Sequence, residues 1–181
     1  MNRLRASIYG ALVLTLVAGC ASRSVREPPS PLVDFNASAR IDTLWTADIG
    51  SSAGRHLSLR PALQDEIVYT ADAKGQVGAY RADTGRRVWD TDLNVPISGA
   101  TGVGEGLVFV ATRKGAEIAL DATTGKEVWR APVSSEVLAP AAASRGMVVV
   151  QSVDGKLAGL NAKDGKRVWL YDRAEPALNL R

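Results

Sequence analysis

Ala119-Leu120-Asp121-Ala122-Thr123-Thr124-Gly125-Lys126-Glu127-Val128-Trp129 returns forty residues later as Gly159-Leu160-Asn161-Ala162-Lys163-Asp164-Gly165-Lys166-Arg167-Val168-Trp169. Each copy reads as the end of an alternating strand, a polar turn closed by Gly, and a short strand carrying Val-Trp. Gly suits the turn because it reaches positive φ without a Cβ clash. A third copy precedes them and ends at Trp89, so the tryptophans fall 40 and 40 residues apart. Overlaid at that period, six columns are identical: Val68/Val108/Val148, Gly75/Gly115/Gly155, Ala82/Ala122/Ala162, Gly85/Gly125/Gly165, Val88/Val128/Val168 and Trp89/Trp129/Trp169. A 40-residue period with Gly and Trp markers is the signature of a four-stranded β-propeller blade.

Working outward, each unit parses into antiparallel strands. The third gives Val137 to Ala142, a turn at Ser144-Arg145-Gly146, the β-branched run Met147 to Ser152, a hairpin at Asp154-Gly155, Lys156 to Asn161, a turn at Lys163-Asp164-Gly165, and Arg167 to Tyr171. The second gives Leu107 to Thr112, Glu117 to Asp121 and Glu127 to Arg130; the first gives Ile67 to Ala71, Gln76 to Arg81 and Arg87 to Asp90. Helical periodicity is not evident after residue 40. The recurring Trp is expected on each outer strand, filling the gap where blades splay, with its indole N–H free to reach a carbonyl. Trp45 lies 44 residues before Trp89, off the period, so Thr43 to Ile49 reads as a lone outer strand, with Trp45 expected to pack against a blade as Trp89, Trp129 and Trp169 do. Propellers commonly pair such a strand with strands from the C-terminal end, which removes exposed edges. Three blades are too few for a ring of four to eight, so the expectation is about three blades of an incomplete all-β propeller.

Composition excludes some classes. The chain has 181 residues with 46% hydrophobic and 23% charged, an ordinary globular balance. Lys and Arg number 22 against 19 Asp and Glu; without Arg3 and Arg5 the balance is 20 against 19. No basic stripe with interleaved aromatics appears, so the electrostatic footprint of a nucleic-acid binder is missing. Cys20 is the single cysteine, which excludes an internal disulfide and a Cys-based zinc site.

The N-terminus reads as an address. Arg3 and Arg5 form a positive region, and Ile8 to Val17 is an apolar run too short for a comfortable membrane span. Leu16-Val17-Ala18-Gly19-Cys20 resembles the lipobox of bacterial lipoproteins, which implies lipidation of Cys20 after removal of residues 1–19. Ala21 follows the cysteine where Asp resembles an inner-membrane retention signal, and this points to the outer membrane. Ala21 to Ala39, with Pro28, Pro29 and Pro31, reads as a mobile tether. The organisation is therefore a signal peptide over 1–19, a lipidated Cys and tether over 20–40, and a partial propeller over 41–181. Within it lie a lone strand at 41–50, blades at about 57–90, 97–130 and 137–171, and the start of another at 176–181.

The two quoted segments resemble the quinoprotein-type propeller repeat. With the lipobox, the tether and the strand around Trp45, the chain resembles the BamB family, lipoproteins of the outer-membrane β-barrel assembly machinery. The resemblance runs from the signal to Arg181 and corresponds to the first three of that family's eight blades. It implies no enzymatic activity, a BamA-type barrel subunit as partner, a role in delivering unfolded outer-membrane proteins, and a lipid-anchored position facing the periplasm. Pro176-Ala177-Leu178-Asn179-Leu180-Arg181 is similar to the family's Leu-x-Leu-Arg stretch that contacts the barrel subunit. This implies that Leu178, Leu180 and Arg181 are partner-binding residues; read without the family, the two leucines are alternating core residues of a new strand.

Quinoprotein dehydrogenases share the repeat, so a fragment of a cofactor-binding periplasmic dehydrogenase stands as the alternative. Such enzymes hold a quinone and a calcium ion, often against a vicinal Cys pair. Here there is no second Cys, and His56 is the only His. Asp121, Asp154 and Asp164 fall in turns, where Asx hydrogen bonding accounts for them. Gly102-Val103-Gly104-Glu105-Gly106 is Gly-rich, but no helix follows, so it reads as a hairpin loop rather than a phosphate cradle. No catalytic, cofactor or metal residue is assigned.

Overall fold

The computed structural model describes residues 29–34, 38–51 and 59–172. The chain divides into two units, Met1–Ile41 and Asp42–Arg181. In the first, residues 29–34 and 38–41 carry no regular structure and are exposed. In the second, every regular element among the described residues is a strand.

The strands are β1 Ala62–Gln64, β2 Ile67–Ala71, β3 Gln76–Arg81, β4 Arg87–Asp92, β5 Gly102–Gly104, β6 Leu107–Thr112, β7 Ala116–Asp121, β8 Glu127–Pro132, β9 Ala142–Ser144, β10 Met147–Gln151, β11 Leu157–Asn161 and β12 Arg167–Tyr171. They form three sheets in the orders β1-β2-β3-β4, β5-β6-β7-β8 and β9-β10-β11-β12. All neighbours are antiparallel. These are three propeller blades in the order the 40-residue period dictates.

Alternation along the strands explains the packing. In β6 the even residues Val108 and Val110 join Ile118 and Leu120 in a core with Tyr69, Val77, Ala79 and Trp89 of the first blade. The odd residues Leu107, Phe109 and Ala111 join Ala119, Trp129 and Ala131 in a second core with Val148, Val150, Ala158 and Leu160 of the third. β6 is therefore buried at every position, as expected for a strand with a blade on both faces. Inner strands are tied by Thr101 N–H to Arg60 O at 3.1 Å and by Ala100 N–H to Leu138 O at 3.1 Å.

Several boundaries differ from the sequence reading. The inner strand of the third blade is Ala142–Ser144, not Val137 to Ala142; Val137 makes only an isolated bridge to Ser152. Ile97 does the same with Thr112 in the second blade, so in these two blades the approach to the inner strand touches the sheet end before pairing. Pro140, lacking an N–H, cannot extend the ladder there. The glycine-rich run is not only a loop: Gly102–Gly104 is the inner strand β5, and Glu105-Gly106 is its turn. Residues 41–50 carry no strand, because among the described residues no strand ladder lies beside them to supply backbone partners.

The Val88/Val128/Val168 column is also explained. β3–β4, β7–β8 and β11–β12 each shift register by one residue just before the tryptophan, as when Ala119 faces Trp129 but Leu120 faces Glu127. Val128 is the extra residue of this bulge, and Val88, Val128 and Val168 stay 49%, 47% and 58% exposed. In the first two blades the bulge turns the following Trp off the regular alternation and toward the next blade.

Candidate functional site

The recurring chemistry of the chain gathers at the seams between blades. Trp89 donates its indole N–H to Ala122 O at 2.9 Å, and Trp129 donates to Ala162 O at 2.8 Å. Each acceptor is the Ala of the following blade's third hairpin, four residues into the quoted repeat. The ring then lies over the turn glycine: a Cβ on Gly125 would meet the Trp89 ring at 2.5 Å, and one on Gly165 the Trp129 ring at 2.6 Å. Both glycines hold positive φ, +71° and +68°, so the Ala and Gly columns together form a socket that only this pairing fits. Thr91 adds a hydroxyl bond to Gly125 O at 2.7 Å. Phe109 and Trp129 meet ring to ring at 6.0 Å, and Tyr69 and Trp89 at 6.1 Å.

Trp45 fills the same socket on the first blade. Its N–H reaches Ala82 O at 2.8 Å, and its ring covers Gly85. The 44-residue spacing leaves this geometry unchanged, because the extra residues lie between Trp45 and Ala82 and not in the docking itself. Asp72 fastens that connection: its Oδ1 accepts from the N–H groups of Lys74, Gly75 and Gln76 at 2.8 Å each, and its Oδ2 from Ser51 at 3.3 Å. Burial pushes the Asp72 carboxyl up, but the N–H groups of Gln76, Ser51, Lys74 and Gly75 outweigh it and hold the group below its usual value. Trp169 differs. It is half-buried, its N–H points at Met147 Sδ at 3.2 Å, and its ring lies over Gly159 of its own sheet.

The turn aspartates serve as local caps. Asp121 Oδ1 accepts from Thr123 N–H at 3.0 Å, Thr124 N–H at 2.7 Å and the Thr124 hydroxyl at 2.8 Å. The Thr124 hydroxyl is the largest reason its carboxyl lies below the usual range. Asp154 takes the Ser152 hydroxyl at 2.6 Å and the Ser134 hydroxyl at 3.1 Å; Asp164 takes Lys166 N–H at 3.1 Å. Among the described residues no group of three or more His, Cys, Asp or Glu is placed to hold a metal ion. Cys20, His56, Leu178, Leu180 and Arg181 lie outside the described residues.

Glu117 was missed by the sequence reading. It is 1% exposed, and its Oε2 has no hydrogen-bond partner. Burial alone pushes its carboxyl from the ordinary 4.5 up to about 8. The signal was legible in the period: position 117 aligns with Val77 and Leu157, so an acidic residue stands in an apolar column.

A family model described as outer membrane protein assembly factor BamB matches residues 33–101 and 73–181. The curated outer membrane protein assembly factor BamB of Pseudomonas aeruginosa is 43% identical over 99 residues, covering 54% of this chain and 26% of the relative. That of Escherichia coli K12 is 38% identical over 88 residues, covering 46% and 22%. This chain therefore spans about a quarter of the length of the curated relatives it matches. The crystal structure of BamB from Moraxella catarrhalis superposes with a TM-score of 0.60 at 30% identity, over 66% of this chain and 37% of that one. A quinohemoprotein alcohol dehydrogenase from Comamonas testosteroni superposes with a TM-score of 0.55 at 25% identity, over 67% and 22%. The dehydrogenase thus shares the blade architecture, whereas the family model spans residues 33–181 and the curated relatives, over about half of the chain, carry the same family description. The chain belongs to the family of the outer membrane protein assembly factor BamB.

Proposed function

We propose that this chain acts as a non-catalytic scaffold in outer-membrane protein assembly, lipid-anchored through Cys20 in the outer membrane and facing the periplasm. Its docking surface for a BamA-type barrel subunit includes Leu178, Leu180 and Arg181. Family membership over residues 33–101 and 73–181 is the observation that carries this reading. The use of the recurring side chains supports it: the Trp, Ala and Gly columns join blades, and the turn aspartates cap their own turns, so the repeat builds a rigid platform. A platform of stacked blades suits a partner-binding role, because its loops can vary while the seams stay fixed. In an extended conformation Leu178 and Leu180 would share one side and supply apolar anchors, with Arg181 giving a charge-assisted bond beside them.

The test is a Leu178→Ala/Leu180→Ala/Arg181→Ala variant of the full-length protein. It should melt like the parent and lose the barrel subunit on co-purification; hot-spot losses of about 2 kcal/mol weaken affinity roughly 30-fold. A folded variant that retains its partner at parental levels overturns the docking site, and one that unfolds returns the two leucines to the core. Separately, Cys20→Ser should abolish palmitate labelling and membrane fractionation. Labelling that survives the substitution overturns the anchor.

A further inference from the structure

Glu117 sits on the face of the second blade that packs against the third. On β7 it shares that face with Ala119, and its cross-strand neighbours are Ala111 on β6 and Ala131 on β8. All three belong to the apolar core that continues into Val137, Val148, Val150, Ala158 and Leu160. The aligned positions in the other blades hold Val77 and Leu157. A carboxyl group thus stands where the other blades have an aliphatic side chain, in an apolar seam, fully buried and with one oxygen unpartnered. Natural cores rarely keep such a group without a reason, since an unmatched buried polar atom destabilises the fold.

We propose that Glu117 makes the seam between the second and third blades a proton-controlled latch: neutral, the carboxyl permits close packing, and ionised it loosens the seam. The surrounding charges do not relieve it. On β8, Arg130 is held by Glu127 at 2.8 Å on the opposite face from Ala131. Arg113, after β6, pairs with Glu136 of the connection to the third blade at 3.8 Å, and both lie toward solvent. Lys114 shares that exposed β6–β7 turn. Lys156, before β11, lies between Asp154 and Asp172 at 3.7 and 3.3 Å. Asp121, at the far end of β7, is engaged by Thr123 and Thr124. Desolvation is accordingly the only cause acting on the Glu117 carboxyl, which is raised to about 8.

The sign follows from linkage. A carboxyl raised in the closed seam and ordinary in the open one binds its proton more tightly when closed. The seam is tightest below about pH 4.5 and loosens progressively as pH rises toward 8, where the closed-state group itself ionises. Over that window the opening equilibrium grows by up to tenfold per pH unit. Hydrogen bonds hold the carboxyls of Asp72, Asp121 and Asp154 below their ordinary value, the opposite direction from Glu117.

Hydrogen exchange on the full chain at pH 5.5 and 7.5, corrected for the intrinsic rate, tests this. Amides of β6, β7, β10 and β11 should lose protection by up to about a hundredfold between the two conditions, while those of β1 and β2 change little. Glu117→Val, which restores the residue of the first blade, and Glu117→Gln, which keeps the shape without the charge, should both flatten the response. A pH dependence that persists in both variants overturns the latch, as does a loss of protection spread equally over all three blades.

Discussion

Trp129 and Trp169 both follow a Val at a bulge on the outer strand of their blades, yet their surroundings differ. Trp129 is 7% exposed, donates to Ala162 O and rests on Gly165. Trp169 is half-buried, points its N–H at the Met147 sulfur and lies over Gly159, where the two other blades have Ala79 and Ala119. The difference teaches that the repeat encodes only half of each joint. The Val-Trp strand supplies a ring, and the Ala-x-x-Gly turn of the following blade supplies its socket, as Ala122 and Gly125 do for Trp89 and Ala162 and Gly165 for Trp129.

The largest expected effect separates these two. Trp129→Ala should cost about 3–5 kcal/mol, the range for deleting a large buried aromatic, with a cavity left beside Phe109. Trp169→Ala should cost less in this chain, about 1 kcal/mol, because among the described residues its ring is only half-buried and its N–H has a sulfur for acceptor. Chemical denaturation of the two variants under one condition measures the gap, and equal losses would remove the distinction between the two tryptophans.

Glu117 sharpens the comparison from within the Trp129 seam, since its counterpart on the Trp169 face is Leu157. Glu117→Val should stabilise the chain by about 3 kcal/mol at pH 7, from 1.36 kcal/mol per unit over the interval from pH 4.5. The gain should fall away as pH drops toward 4.5, because in acid the parental carboxyl is neutral in both states. Denaturation midpoints for the pair across pH 4.5 to 8 measure this, and a gain independent of pH would make it a packing effect only.

The sockets give the next step down. At Gly165, with φ of +68°, a methyl group would strain the backbone and collide with the Trp129 ring, so Gly165→Ala should cost about 2 kcal/mol or more. Gly159→Ala also meets a ring, that of Trp169, but without positive φ, so only the half-buried side chain has to shift. Its cost should stay under about 1 kcal/mol, with a change in Trp169 fluorescence as the sign of displacement.

The blades were legible because period, turn glycines and β-branched runs agree on one answer, and Leu107–Thr112, Ile67–Ala71, Gln76–Arg81 and Arg167–Tyr171 fall where the pattern placed them. The inner strands were not, since Ala142–Ser144 and Gly102–Gly104 are short and small-residued, and pairing there is set by close approach at the blade joints rather than by hydrophobic alternation. Trp45 was placed among the blade-packing tryptophans despite its spacing; what spacing could not give was its acceptor, Ala82 O, because a socket reads geometry and not chain length. Glu117 was hidden by treating the period as a list of identities; the informative column was the one where the chemistry changed.

The smallest effect isolates the backbone by holding surroundings constant while the residue changes, the reverse of the Trp129 and Trp169 pair. The first hairpin of each blade is a two-residue turn with both residues at positive φ: Asp65 and Glu66 at 49° and 62°, Glu105 and Gly106 at 55° and 74°, Arg145 and Gly146 at 53° and 75°. Such turns match the twist of the flanking strands, and their second position favours Gly. Glu66 therefore carries a left-handed penalty of about 1–2 kcal/mol that Gly106 and Gly146 do not. Its exposed ion pair with Arg81 at 3.8 Å returns little, because Arg81 already holds Asp83 at 3.0 Å. Glycine loses about 0.5–1 kcal/mol of chain entropy on folding, so Glu66→Gly should gain about 0.5 kcal/mol net. The mirror experiment is clean, since a Cβ on Gly106 or Gly146 meets nothing within 4 Å. Gly106→Ala and Gly146→Ala should each cost about 1 kcal/mol through strain alone, seen as a drop of a few degrees in Tm. If Glu66→Gly destabilises while the two alanine variants are neutral, the turns are set by their strands and not by the residues in them.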